Sequence, residues 1–153
     1  MEILILGYSN LVKRKIIPLF KNKLSSIKFS ICSKSQYKKN IGALNWYRDY
    51  QQALKKSKAD LVYISLPNSL HYIWAKKFLS QNFHVIIDKP ATLKFAHTCE
   101  LVKLAKKKKK LLSEAVVFNY HNQFYKALKE IKSLNNLIHI DARFVIPGFS
   151  KND

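Results

Sequence analysis

Glycine, cysteine and acidic residues are scarce in this sequence. Glycine occurs three times in 153 residues and proline four times, so no stretch reads as a flexible linker or a disordered tail. The two cysteines, Cys32 and Cys99, stand at no metal or redox spacing, and no His/Cys/Asp cluster has metal-ligand spacing; both thiols are expected to pack as small apolar groups. A G-x-S-x-G nucleophile elbow is absent. Glu2 occupies the place where a secretory leader needs basic residues. The longest uncharged run, 61–75, is too short to span a bilayer and contains Pro67, Asn68 and His71. The expectation is a cytoplasmic protein in a reducing compartment, with no membrane contact. Acid is the sharpest shortage: 9 Asp and Glu against 28 Lys and Arg, a formal charge of +19. Such a field attracts polyanions. Lysine is nevertheless spread along nearly the whole chain, and most aromatics fall within apolar periodicities, so nucleic acid ranks behind the other partners considered below.

The sequence does have a regular alternation of strand-like and helix-like segments. Residues 3–6 form a short apolar run ending at Gly7, the pattern of a strand covered on both faces. Val12, Ile16, Leu19 and Phe20 recur at helical spacing, with Pro18 kinking that helix or dividing it into short pieces. Ile27, Phe29 and Ile31 alternate with polar residues as a second strand, and Trp46 and Tyr47 mark a short third. A short helix is expected over 50–56, a strand over 61–66, a helix over 70–80 capped by Asn68 or Ser69, and a strand over 84–87. Thr92 is expected to cap a long helix whose stripe is Phe95, Cys99, Val102 and Ala105. The lysine run 106–110 closes that helix, where cations oppose the macrodipole favourably. A sixth strand over 111–117 and a helix over 124–134 follow. Residues 138–146 alternate with period two, as an antiparallel strand with one wet face would. Strands alternating with helices imply βαβ units, right-handed crossovers and a Rossmann-type doubly wound parallel sheet with helices on both faces. The expected division is a dinucleotide-binding domain over 1–118, then a helix and first strand of an incomplete α+β substrate domain over 119–153.

In such a sheet, ligands bind beyond the carboxyl ends of the strands. Those ends carry Gly7-Tyr8-Ser9-Asn10, Ser33-Lys34-Ser35, Leu66-Pro67-Asn68-Ser69, Asp88-Lys89-Pro90 and Glu114. The first loop, continued by Leu11, is placed to cradle a pyrophosphate at a helix start. Of the usual G-x-G-x-x-G fingerprint only Gly7 is kept; Ser9 and Val12 stand in the other two places, and Ser9 offers a hydroxyl to phosphate. A plain strand-to-helix turn is the alternative for this loop taken alone. The second loop has no carboxylate for a ribose 2′-hydroxyl. Ser33, Lys34 and Ser35 suit a 2′-phosphate instead, so NADP is preferred over NAD; an exposed lysine turn is the competing reading. Lys89, ahead of Pro90 and beside Asp88, is placed to hydrogen-bond a substrate oxygen, with Asp88 holding it charged. His71 and His121, each taken alone, read as ordinary half-buried histidines.

These motifs in this order resemble the glucose–fructose oxidoreductase/inositol dehydrogenase family (Gfo/Idh/MocA). The likeness rests on Ile5-Leu6-Gly7 and its loop, on 60–71 with Pro67-Asn68-x-x-His71, on 84–90 with Asp88-Lys89-Pro90, on 114–118, and on His121. Asp88 stands where Glu is commoner. The resemblance implies a nicotinamide-dependent oxidoreductase acting on a sugar, cyclitol or sugar-nucleotide hydroxyl. It implies that Lys89 is the catalytic residue, touching substrate and nicotinamide ribose. Pro67, Asn68 and His71 would line the cofactor, and Glu114 would lie near its nicotinamide end. In that family a second, antiparallel-sheet domain supplies the substrate pocket, the usual dimer face and a catalytic His or Asp. The chain reaches only the first strand of it, so a second copy or a partner chain would supply the rest. A catalytically silent interaction module of the same fold is the alternative.

Overall fold

The computed structural model describes residues 1–34, 41–134, 139, 141 and 143. Six parallel strands form one sheet: β1 (Glu2–Leu6), β2 (Lys28–Cys32), β3 (Trp46–Tyr47), β4 (Leu61–Ile64), β5 (His84–Ile87) and β6 (Leu112–Glu114). Their spatial order is β3-β2-β1-β4-β5-β6. Strand order reverses between β1 and β4, which is where a doubly wound sheet opens a crevice. In register, Leu6 pairs with Cys32 on one side and with Ile64 on the other.

Period-two alternation sends side chains of each strand to two separate cores. Leu4, Leu6, Val62, Ile64, Val85 and Ile87 pack against α2 (Tyr50–Lys56), α3 (Asn68–Ser80) and α4 (Phe95–Lys108), chiefly through Ala53, Trp74, Phe78, Leu79, Leu101 and Ala105. Ile3, Ile5, Phe29, Ile31 and Tyr63 face the other way, onto Val12 and onto Ile17 and Phe20 of α1 (Ile17–Asn22). Helices thus lie on both faces. The chain divides into two compact units, Met1–Val116 and Val117–Asp153. The second contains a 3₁₀ turn (Val117–Tyr120) and α5 (Asn122–Ser133), whose first amides are met by the His121 imidazole accepting from Gln123 N–H at 3.2 Å. Most of the strand expected over 138–146 lies outside the described residues.

Several local expectations need correction. The helix after β4 begins at Asn68, with Pro67 in the cap position and no side chain bonded to its first amides; neither Asn68 nor Ser69 caps it. Thr92 does not cap α4 either. That position falls to Lys94, while the Thr92 hydroxyl donates to the Lys94 carbonyl at 2.9 Å and lies 2.6 Å from the Thr98 hydroxyl. The expected stripe on α4 is rotated: Leu101 and Ala105 are buried, whereas Phe95 is 84% exposed and Val102 39%. Lysines dilute the apolar pattern of this helix, so Leu101 and Leu104 fit an inward face as well as Cys99 and Val102 do. Strands β4 and β6 are shorter than expected, ending at Ile64 and Glu114. Pro18 does divide its helix. Residues Val12–Ile16 wind as a π-helix closed by Ile17 N–H donating to the Val12 carbonyl, and α1 follows with Pro18 in its first turn.

Candidate functional site

At the β1–β4 switch point lies an open cleft of about 620 Å³, lined by Gly7, Tyr8, Ser9, Asn10, Leu11, Tyr50, Ser65, Leu66, Pro67 and Asp88. Its floor begins at Gly7. This residue has φ +97°, and a Cβ there would stand 2.1 Å from the Ser65 carbonyl oxygen. Only glycine admits both that backbone angle and that approach. Gly7 N–H donates to the Cys32 carbonyl at 2.9 Å and Ser65 N–H to the Leu6 carbonyl at 2.8 Å, pinning the turn from both sides. Val12, in the third fingerprint place, is fully buried among Ile3, Ile5, Phe20, Phe29 and Tyr63. The helix accommodates this side chain where a fingerprint glycine would bring it closest to the sheet.

Ser9, Ser65, Asp88 and Tyr63 form one hydrogen-bonded series along the cleft wall. Val12 N–H donates to Ser9 Oγ at 3.2 Å, and Ser9 Oγ lies 2.8 Å from Ser65 Oγ. Ser65 Oγ donates to Asp88 Oδ2 at 2.7 Å, and the Tyr63 hydroxyl donates to Asp88 Oδ1 at 2.5 Å. Burial, followed by the hydrogen bond to Asp88, holds the Tyr63 phenol well above its ordinary range. Both Asp88 oxygens are therefore engaged by hydroxyls. The expectation that Asp88 steadies the Lys89 charge is corrected: Lys89 is exposed and has no ion pair with Asp88 among the described residues.

His71 joins two loops at this edge. Fully buried on α3, it places Nε2 2.8 Å from the Leu66 carbonyl oxygen and Nδ1 2.9 Å from that of Pro90. The half-buried reading of this histidine is thus too weak. Glu114, exposed at the end of β6, accepts from Ala91 N–H at 2.8 Å and anchors the same Lys89-Pro90 turn from the other side. The Lys89–Pro90 peptide is cis.

Of the residues singled out in the sequence, Gly7, Ser9, Asn10, Leu11, Leu66, Pro67 and Asp88 line one cleft. His71, Pro90 and Glu114 are tied to its rim through the bonds above. Asn68 and Lys89 are exposed at the strand ends and do not line the cleft. Ser33 is buried, its amide bound to the Tyr47 carbonyl at 2.9 Å, and Lys34 is exposed; Ser35 lies outside the described residues. The sequence reading missed Tyr50, Tyr63 and Ser65, and named Tyr8 in the first loop without giving it a role. Tyr63 and Ser65 sit within the strand run 61–66, where apolar continuity hides the inward hydroxyls. Tyr8 packs edge-on to Trp46 at 5.2 Å with Lys13 Nζ 4.8 Å from its ring centre, and Tyr50 packs against Trp74 at 5.0 Å. Among the described residues no helix is long and apolar enough to cross a membrane.

Known proteins resemble this arrangement. The chain is 27% identical over 153 residues to a dTDP-3,4-didehydro-2,6-dideoxy-alpha-D-glucose 3-reductase of Streptomyces violaceoruber, covering 96% of this chain and 45% of that one. It is 27% identical over 105 residues to a D-xylose 1-dehydrogenase (NADP(+)) of Haloferax volcanii, covering 68% of this chain and 32% of that one. It therefore spans less than half the length of these relatives. Among solved structures, a 3-ketoreductase from Actinomadura kijaniata in complex with NADP and TDP-benzene superposes with a TM-score of 0.77 at 23% identity, over 86% of this chain and 42% of that one. A scyllo-inositol dehydrogenase from Lactobacillus casei with bound NAD(H) and scyllo-inositol gives the same TM-score at 18% identity, over 86% and 41%. At these identities the two structures speak for the fold. Residues 1–116 match the model of an oxidoreductase family with an NAD-binding Rossmann fold, and the chain belongs to that Gfo/Idh/MocA family.

Proposed function

We propose that this chain binds a nicotinamide dinucleotide, NADP in preference to NAD, across the β1–β4 cleft. In this reading it is the cofactor-binding part of an oxidoreductase that moves hydride between nicotinamide and a sugar, cyclitol or sugar-nucleotide hydroxyl or carbonyl. The observation that carries the reading is the cleft itself. It lies at the switch point of the sheet, has the volume of a ligand site, and begins at a glycine that no other residue replaces. The residues fit such a group. Val12 and Lys13 amides turn back to Ser9, which leaves those of Asn10 and Leu11 as the remaining first-turn donors for a pyrophosphate.

When bound, the nicotinamide supplies or accepts the hydride; the protein's share is to hold, orient and exclude water. Lys34, exposed at the end of β2, meets a 2′-phosphate with its ammonium. Leu66, Pro67 and Asn68 border the cofactor, and His71 holds their loop against Pro90. Lys89 donates to the substrate oxygen and the nicotinamide ribose, with Glu114 fixing its turn. The relatives' names point to sugars and sugar nucleotides as the substrate class. Titration with NADPH and NADH, followed by the coenzyme's fluorescence, tests the reading. Saturable binding with NADPH the tighter is expected; no binding at about 1 mM of either coenzyme overturns it.

A second reading, an interaction module, rests on the second unit. There Val117, Phe118 and Tyr120 are 77%, 58% and 80% exposed, and α5 shows Tyr125, Leu128 and Ile131 to solvent. Such a surface recruits a second copy or a partner carrying a substrate sheet. Sedimentation showing a monomer at all concentrations would count against it.

A further inference from the structure

The series of hydroxyls on the cleft wall has a direction, and Asp88 sets it. A carboxylate only accepts, and each hydroxyl has one proton to give. Ser65 gives its proton to Asp88 Oδ2. The 2.8 Å bond between Ser65 and Ser9 must then be donated by Ser9. Ser9 Oγ meanwhile accepts from Val12 N–H. Its proton is directed into the wall, and what it turns to the cleft is a lone pair. Tyr63 closes the series by donating to the other Asp88 oxygen, so the carboxylate has no need of a partner in the cleft.

We propose that Asp88 and Ser65 are positioning residues that withhold the Ser9 hydroxyl from the ligand. This rests on the dinucleotide reading and sharpens it. The sequence suggests that Ser9 donates to phosphate; in the folded chain that donation is blocked, and pyrophosphate recognition falls to backbone amides alone. Ser9 thus replaces a fingerprint glycine in more than size. With its side chain tied back to Ser65, it leaves the loop with the donors a glycine would leave. The loop consequently holds a pyrophosphate less tightly than its composition implies.

Ser65→Ala tests this without changing any charge. Ser65 is 6% exposed and loses one oxygen. The Ser9 proton then loses its acceptor and becomes available to phosphate. NADPH should bind roughly ten- to a hundredfold tighter, the range of a hydrogen bond to a charged group. The gain should vanish in the Ser9→Ala/Ser65→Ala double variant. Unchanged or weaker binding by Ser65→Ala overturns the proposal, as does a gain that persists without Ser9. A second measurement needs no ligand. In the relay, donation to Ser65 makes Ser9 Oγ a stronger acceptor for Val12. The Val12 amide proton should therefore move upfield in both Ser65→Ala and Asp88→Asn, and an unmoved resonance in either overturns the relay. If the wild-type chain binds no NADPH, the dinucleotide reading fails while the Val12 resonance still decides the relay.

Discussion

Gly7→Ala is the sharpest structural test of the cleft. Two terms act against it. Gly7 has φ +97°, outside the range an L side chain adopts readily, at a cost of about 1–2 kcal/mol. The added Cβ would also stand 2.1 Å from the Ser65 carbonyl oxygen and 2.9 Å from its carbon, both backbone atoms. Relief requires β1 and β4 to part, against the bonds from Gly7 to Cys32 and from Ser65 to Leu6. Together the terms amount to about 3–5 kcal/mol, a large share of a typical domain's stability. For a chain of this size the thermal midpoint should fall by about 10 °C. Gly42→Ala is the built-in comparison. Gly42 has φ +82° but its nearest neighbour for a Cβ is Lys21 Cε at 3.7 Å, so strain acts alone and the loss should be about 1–2 kcal/mol. Differential scanning calorimetry of both variants measures the pair. If Gly7→Ala loses no more than Gly42→Ala, the close approach of β1 to the β4 loop is wrong.

Three further predictions follow from separate features. His71→Ala removes a fully buried imidazole together with the hydrogen bond it makes between the Leu66 and Pro90 loops, and urea unfolding should show a loss of about 2–4 kcal/mol. Lys34→Ala should weaken NADPH by about three- to tenfold in the fluorescence titration while leaving NADH within about twofold, since only the 2′-phosphate is deprived of a cation. Burial, reinforced by the charge of Asp49, pushes the Cys32 thiol up to about 12 from 9.0. The unfolded thiol therefore ionises first, and stability is lost as pH climbs from 9 towards 12. A Cys32→Ala chain should lose less of its thermal midpoint over that interval, and native Cys32 should resist iodoacetamide at neutral pH.

The fold was legible because its strands are buried on both faces. Runs such as 3–6 and 84–87 cannot be read as amphipathic helices, and helical spacing between them leaves parallel crossovers as the natural connection. Helix starts were less legible. Asn68, Ser69 and Thr92 are all competent caps by type, yet the chain uses Pro67 and Lys94 in those positions because the preceding turns are fixed by tertiary bonds, among them His71 to Pro90. The α4 face was misread for a related reason: with lysine at Lys103, Lys106 and Lys107, two apolar stripes are equally plausible until the sheet selects one. At the candidate site, the loop residues could be gathered from strand ends alone. The hydroxyl series could not, because Tyr63 and Ser65 lie inside an apolar strand run and gain their meaning only when β5 sets Asp88 beside them.

Amide-resolved NMR of the full chain, titrated with NADPH at about 0.15 M salt, tests the central claim most directly, because surface attraction to a +19 chain is screened at that salt. Saturable shifts should concentrate on Gly7, Tyr8, Ser9, Asn10 and Leu11 and on Leu66 across the cleft. Shifts spread over the lysine-rich helix ends without saturation, or none at the Gly7 turn, would contradict dinucleotide binding at the switch point of the sheet.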